Sequence, residues 1–217
     1  MVQVSDPKIQ DRRREILRAA SEVFRERGFH AAGMREIASA LGIAVGKLYY
    51  WFENKQALLA FCQEDCLRAL LGMADRARAL DVGSADRLWH LVAGHVLCLN
   101  AWNPGSLAHL EAESLDEAHR ARIVHLRDRY EARLREAITQ GRQDGAFRLD
   151  VDPKLAALCI LGSTNWSVKW FRPGGRASLE RIARAFAEQH VRGLLADPAS
   201  WTAPPHVPIA GEDSHVD

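Results

Sequence analysis

The chain has 217 residues, 47% of them hydrophobic, and a formal net charge of +1. That length allows one or two domains with a real core, and the composition excludes a chain that is disordered throughout. Residues 1–55 hold ten Lys and Arg against seven Asp and Glu, a net of +3, and the remainder holds 19 against 21. The whole chain is therefore no polyanion binder, but its first quarter carries a local positive excess of the kind that faces phosphate. The four cysteines (Cys62, Cys66, Cys98 and Cys159) have no CxxC spacing and read as small apolar residues of a reducing compartment. No apolar core of signal-peptide length and no run of 18 apolar residues occurs, which leads us to expect a cytoplasmic protein.

Helical periodicity runs through nearly the whole chain and strand patterns are nearly absent. A first helix is expected from Pro7 to Arg27, with Ile16, Leu17, Ala20, Val23 and Phe24 on one stripe and Gly28 as its stop. Two short helices then lie between Met34 and Phe52, joined by a tight turn at Gly42. Asn54 caps a helix opening at Lys55 that carries Leu58, Phe61, Cys62, Leu67 and Leu70 inward. A break at Asp81–Ser84 precedes a helix marked by Leu88, Leu91, Val92, His95, Val96 and Leu99. A short helix is expected over Leu107–Glu113 and a long charged one over Asp116–Gln140, closed by Gly141 and Gly145. Asp152 and Pro153 start another helix in N-cap and N1 fashion. Ser178 caps the last one. Four prolines after Asp197 suggest a disordered tail. The expected fold is all-α: a helix-turn-helix head over 1–53, a helical ligand-binding and dimerisation body over 54–197, about nine helices in all, and a disordered tail over 198–217.

The stretch from Met34 to Phe52 carries the chemistry. Ile37, Ala38 and Leu41 form one apolar seam and Leu48 and Phe52 the next, which leaves Lys47, Tyr49 and Tyr50 with polar ends outward. This is the layout of a helix-turn-helix, in which the second helix enters the major groove of DNA. Tyr49 and Tyr50 offer hydroxyls to phosphate and ring edges to a thymine methyl, and Lys47 reaches a guanine edge or a phosphate. Lys55, at the start of a helix, is placed to meet one phosphate with nearby backbone N–H groups.

Other constellations lead nowhere. Gly42 to Lys47 differs from a phosphate loop in its glycine spacing and lacks the Ser or Thr after the lysine. His109, His119 and His125 lack metal-ligand spacing, so no metal and no cofactor are expected. His95, on an apolar face, reads as a hydrogen-bonded core residue. No nucleophile–base arrangement supports an enzyme.

Residues 12–59 resemble the TetR family of bacterial transcriptional regulators. The resemblance rests on Arg14–Ala20, Phe24–Phe29, Ile37-Ala38, Gly42-Ile43 and Leu48–Leu59. It implies a homodimeric, ligand-responsive repressor, with Gly33, Met34, Ala44, Val45, Gly46, Lys47, Tyr49, Tyr50 and Lys55 at the DNA. Gly33 stands where the family usually has Thr or Ser, Val45 where it commonly has a hydroxyl, and Trp51 where it commonly has His or Tyr. Residues 141–153 and 165–175 are similar to a KstR2-like branch of the family that includes sensors of CoA thioesters. That likeness implies a small hydrophobic ligand, for which Trp89, Trp102, Asn165 and Trp166 are candidate walls; the competing reading is that Trp166 and Trp170, at i and i+4, simply form core or dimer packing. Lys169 and Arg172 would receive an anionic end such as that of an acyl-CoA. The competing function is a constitutive or architectural dimer on DNA with no small-molecule ligand.

Overall fold

The structure is a computed structural model that describes residues 7–102 and 115–206. Among the described residues eight α-helices follow in order: α1 (Pro7–Ala31), α2 (Met34–Ala40), α3 (Val45–Trp51), α4 (Lys55–Ala79), α5 (Ser84–Leu97), α6 (Glu117–Gln143), α7 (Pro153–Trp170) and α8 (Leu179–Leu194). One turn of π-helix, Cys98–Trp102, continues α5. The all-α expectation holds. The short helix expected over Leu107–Glu113 lies outside the described residues.

The chain divides into two compact units, one of Met1–Cys66 with Asn103–Val124, the other of Leu67–Trp102 with His125–Asp217. The boundary between the two units falls inside α4. The first turns of α4 belong with the head because Leu58, Leu59 and Cys62 are fully buried. The start of α6 joins them, with the Asp116 N–H donating to Gln56 Oε1 at 3.1 Å and Arg122 paired to Glu64 at 3.0 Å.

In the first unit Ile16, Leu17, Ala20 and Phe24 of α1 are buried, with Ile37 and Ala38 of α2 and Leu48 of α3. Each large side chain so buried contributes about 1.5–3 kcal/mol. Gly28, at φ 75°, breaks α1, and a single further turn runs to Ala31. The rings of Phe24 and Phe29 lie 5.4 Å apart across that break.

In the second unit α5 is the innermost helix. Trp89, Leu88, Val92 and Val96 have no exposed surface. A Cβ at Gly94 would stand 2.8 Å from Met73 Sδ, so the Met73 side chain would have to shift to admit one. Asp152 Oδ1 caps α7 through the Lys154 and Leu155 N–H groups, and Ser178 Oγ caps α8 through that of Arg181, as the sequence predicts. α6 runs through Gly141 to Gln143, the Phe147 ring packs directly on that glycine, and Gly145 takes φ 81° just beyond the helix end.

Residues 198–206 lie on the second unit as a strap. Arg192 donates to the Pro198 carbonyl, Arg184 to those of Pro204 and Pro205, and the Trp201 indole N–H to Asp86 Oδ1 at 2.7 Å. Proline lacks an N–H but keeps its acceptor, and arginines on α8 satisfy three of them. Residues 207–217 lie outside the described residues.

Candidate nucleic-acid interface and the body behind it

The head builds its outward face from two seven-residue helices and the turn between them. Gly42 takes φ 64°, which a side chain would strain, and its N–H donates to Ser39 O while Ile43 N–H donates to Ala38 O. That turn sets α3 so that Leu48 is fully buried. Tyr49 is then 50% and Tyr50 84% exposed, with Lys47 and Gly46 exposed beside them. Tyr50 also packs edge-on to Trp51 at 5.9 Å. Ala44 is exposed and Val45 half-buried at the start of α3. Gly33 is the extended N-cap of α2. Met34 is buried and belongs to the core of the head.

Lys55, expected at a phosphate, has partners within the head. Its Nζ donates to the carbonyls of Phe29 at 2.8 Å, His30 at 3.2 Å and Ala32 at 2.8 Å, and lies 4.4 Å from the centroid of the Phe29 ring. An ammonium has three protons, and all three are directed at the end of α1. The cause is Gly28: by breaking α1 it leaves carbonyls without helical partners, which a cation caps. The sequence shows the place of Lys55 at the start of α4 but not the end of α1 that it meets.

In the second unit the five candidate ligand residues whose side chains are described differ in their surroundings. Trp89 is fully buried in the core, with the Arg184 guanidinium 5.9 Å from its ring centroid. Trp166 is 60% exposed on α7. Lys169 and Arg172 are exposed, and Arg172 donates to the carbonyls of Lys169 and Phe171. The side chain of Trp102 lies outside the described residues. Asn165 Oδ1 lies 3.0 Å from His95 Nε2, and His95 Nδ1 lies 2.8 Å from Tyr130 Oη. An accepting Asn165 oxygen makes Nε2 the protonated nitrogen and leaves Nδ1 to accept from the Tyr130 hydroxyl. Burial pushes the His95 pKa down to about 4, with the Asn165 hydrogen bond opposing. This network joins α5, α6 and α7. The sequence marks His95 as a core residue but not its partners, which come from helices 35 and 70 residues away.

Among the described residues a cavity of about 490 Å³ lies between α4, α5 and α6, and its described lining holds none of Trp89, Asn165, Trp166, Lys169 and Arg172. No group of His, Cys, Asp and Glu there could hold a metal ion, and no helix is long and apolar enough to cross a membrane.

Two family models match the chain. Residues 16–61 match "Bacterial regulatory proteins, tetR family", and residues 81–194 match "Tetracyclin repressor-like, C-terminal domain". A curated relative, the HTH-type transcriptional repressor KstR2 of Rhodococcus jostii (strain RHA1), is 30% identical over 190 residues, 85% of this chain and 92% of that one. Among solved structures, the TetR family transcriptional regulator PfmR of Thermus thermophilus is similar, with a TM-score of 0.75 and 30% identity. That match covers 82% of this chain and 97% of PfmR. AibR in complex with isovaleryl coenzyme A and operator DNA gives a TM-score of 0.73 at 29% identity, over 85% of this chain and 98% of that one.

Proposed function

Because this chain belongs to the TetR family of transcriptional regulators, in its KstR2-like branch, we propose that it is a dimeric repressor released from a near-palindromic operator by a small hydrophobic ligand. The observation that carries the DNA half of this reading is the division of α3. Leu48 is buried, while Lys47, Tyr49 and Tyr50 stand out from the head. A short helix held by one apolar residue and bearing a cation and two hydroxyls on its free side suits a major groove. Lys55 serves this surface indirectly, by fixing the end of α1 against the start of α4.

The second copy meets α7. Leu155, Leu158, Trp166 and Trp170 are 65%, 44%, 60% and 44% exposed on one helix, an apolar face that an isologous contact would cover. Pairing through α7 and α8 makes a four-helix bundle. A dimer with recognition helices roughly 34–36 Å apart reads half-sites one turn apart. Such a regulator works in the bacterial cytoplasm, where the DNA is.

The ligand class follows from likeness: AibR, similar along nearly its whole length, is described with isovaleryl coenzyme A and operator DNA together. A hydrophobic acid, delivered as its CoA thioester, is the ligand we assign. It acts only through its differential affinity for the DNA-competent state, and a ten-fold preference supplies about 1.4 kcal/mol. The test is titration of operator-bound protein with free acids and their CoA thioesters. Release by one thioester supports the reading. DNA binding that no member of the panel alters favours the constitutive, architectural dimer.

A further inference from the structure

We propose that the cavity between α4, α5 and α6 is a binding site for a small organic anion, a carboxylate or phosphate on an apolar body, received by Arg78, Arg87 and Arg133. Its volume of about 490 Å³ lies inside the range of small-molecule sites, roughly 300–1,000 Å³. The walls divide by chemistry. Ala74, Val82, Leu91 and Ala137 supply apolar surface, and one arginine comes from each of the three helices.

Arg87 is the group best prepared for an anion. Its Nη2 donates to the carbonyls of Val82 at 2.9 Å and Leu80 at 3.2 Å, which fixes the plane of the guanidinium. Its Nε is buried with no acceptor among the described residues. A buried donor of this kind is costly to leave unmatched, and an anionic oxygen is its strongest partner. The two carboxylates of the lining do not meet this need. Asp144 is taken by the Ser84 hydroxyl through Oδ2 and by the Ala146 N–H through Oδ1. Glu136 faces Arg78 at 3.7 Å and Arg133 at 3.6 Å.

Arg78 and Arg133 also hold α4 to α6, through Arg78–Glu136 and through Arg133 Nε to Asp75 Oδ1 at 3.0 Å. These pairs are half-exposed, and such pairs are weak, so an entering anion exchanges with them readily. Occupancy would thus loosen the last turns of α4, whose first residue is Lys55. That consequence for DNA rests on the functional reading above; the anion site itself does not.

The experiment titrates the full chain with octanoate, octyl phosphate and octanol by calorimetry, with the side-chain Nε–H resonances of arginine as a second readout. The parent is compared with Arg87→Lys, which keeps the charge but loses the fork, with Arg133→Gln, and with Arg176→Gln on an exposed loop as control. At least one of the two anions binds, octanol binds at least about ten-fold more weakly, and the preferred anion names the head group. Arg87→Lys, by losing the fork, and Arg133→Gln, by losing the charge, each weaken it about ten-fold, and Arg176→Gln does not. If Arg87→Lys fails to fold, Arg133→Gln decides alone. Equal binding of octanol, parental affinity in both variants, or no binding of either anion below about 10 mM overturns the site. DNA affinity measured without any anion keeps the two readings apart. Its loss would strike the repressor and leave the site, whereas anion failure with intact DNA binding strikes the site alone.

Discussion

Lys55 Nζ lies 2.8 Å from the Phe29 carbonyl oxygen and 4.4 Å from the centroid of the Phe29 ring, so one side chain grips both the backbone and the ring of a single residue. Lys55→Ala removes the cap from three carbonyls and should destabilise the head by about 1–3 kcal/mol. DNA affinity should fall on every sequence alike, while the slope of log affinity against log salt stays at its parental value. A slope shallower by about 0.9 per subunit would instead show a direct phosphate contact. Thermal melts and binding across a salt series check both parts.

Tyr50 and Lys47 should behave in the opposite way. Tyr50 is 84% exposed and supports no core. Tyr50→Ala and Lys47→Ala should leave the melting temperature near the parent value and change which base pairs are preferred, at about 1–3 kcal/mol per lost base contact. Affinity on a set of single-base operator variants reads this out.

Trp166→Glu places a charge on the exposed face of α7. Sedimentation at micromolar concentration should find a monomer where the parent is a dimer. Operator affinity should fall by more than a single base contact accounts for, because the second half-site is no longer bound from the same body. A variant that remains dimeric would move the interface elsewhere.

The His95 network predicts a pH dependence of stability. The folded imidazole is held neutral down to about pH 4, whereas an unfolded histidine takes up its proton near 6.5. Between those values the unfolded chain binds one more proton, so stability falls as the pH drops from about 6.5 to about 4. Above 6.5 this group adds no slope. The full window is worth about 3 kcal/mol. His90 and His190 are also lowered by burial and act in the same direction. Unfolding midpoints in urea from pH 7.5 to 4 should show this fall, and His95→Gln should flatten it.

The parts of this fold that are legible in the sequence are those specified by neighbours in the chain. Gly42 between two apolar seams, Asp152 before Pro153 and Ser178 before a periodic helix each act within one or two turns, and each appears where expected. What is not legible depends on distant partners. The strap after Asp197 is held by Arg184 and Arg192, whose reach to proline carbonyls leaves no periodic signal. Lys55 meets the broken end of α1, 23 to 26 residues earlier. The tryptophans suggest pocket walls by their size, yet Trp89 fills the core and Trp166 faces outward. The arginines around the cavity give no signal because 78, 87 and 133 share no motif and meet only through packing.

The central claim is sequence-specific binding by a two-fold dimer through α3. Selection of bound duplexes from a random library, followed by measurement of protomers per duplex on the enriched sequence, tests it most directly. The account predicts a near-palindrome with half-sites about one helical turn apart, two protomers or a multiple of two per duplex, and a changed enriched sequence for Tyr50→Ala. Binding with no enriched sequence, or one protomer per duplex, would contradict it.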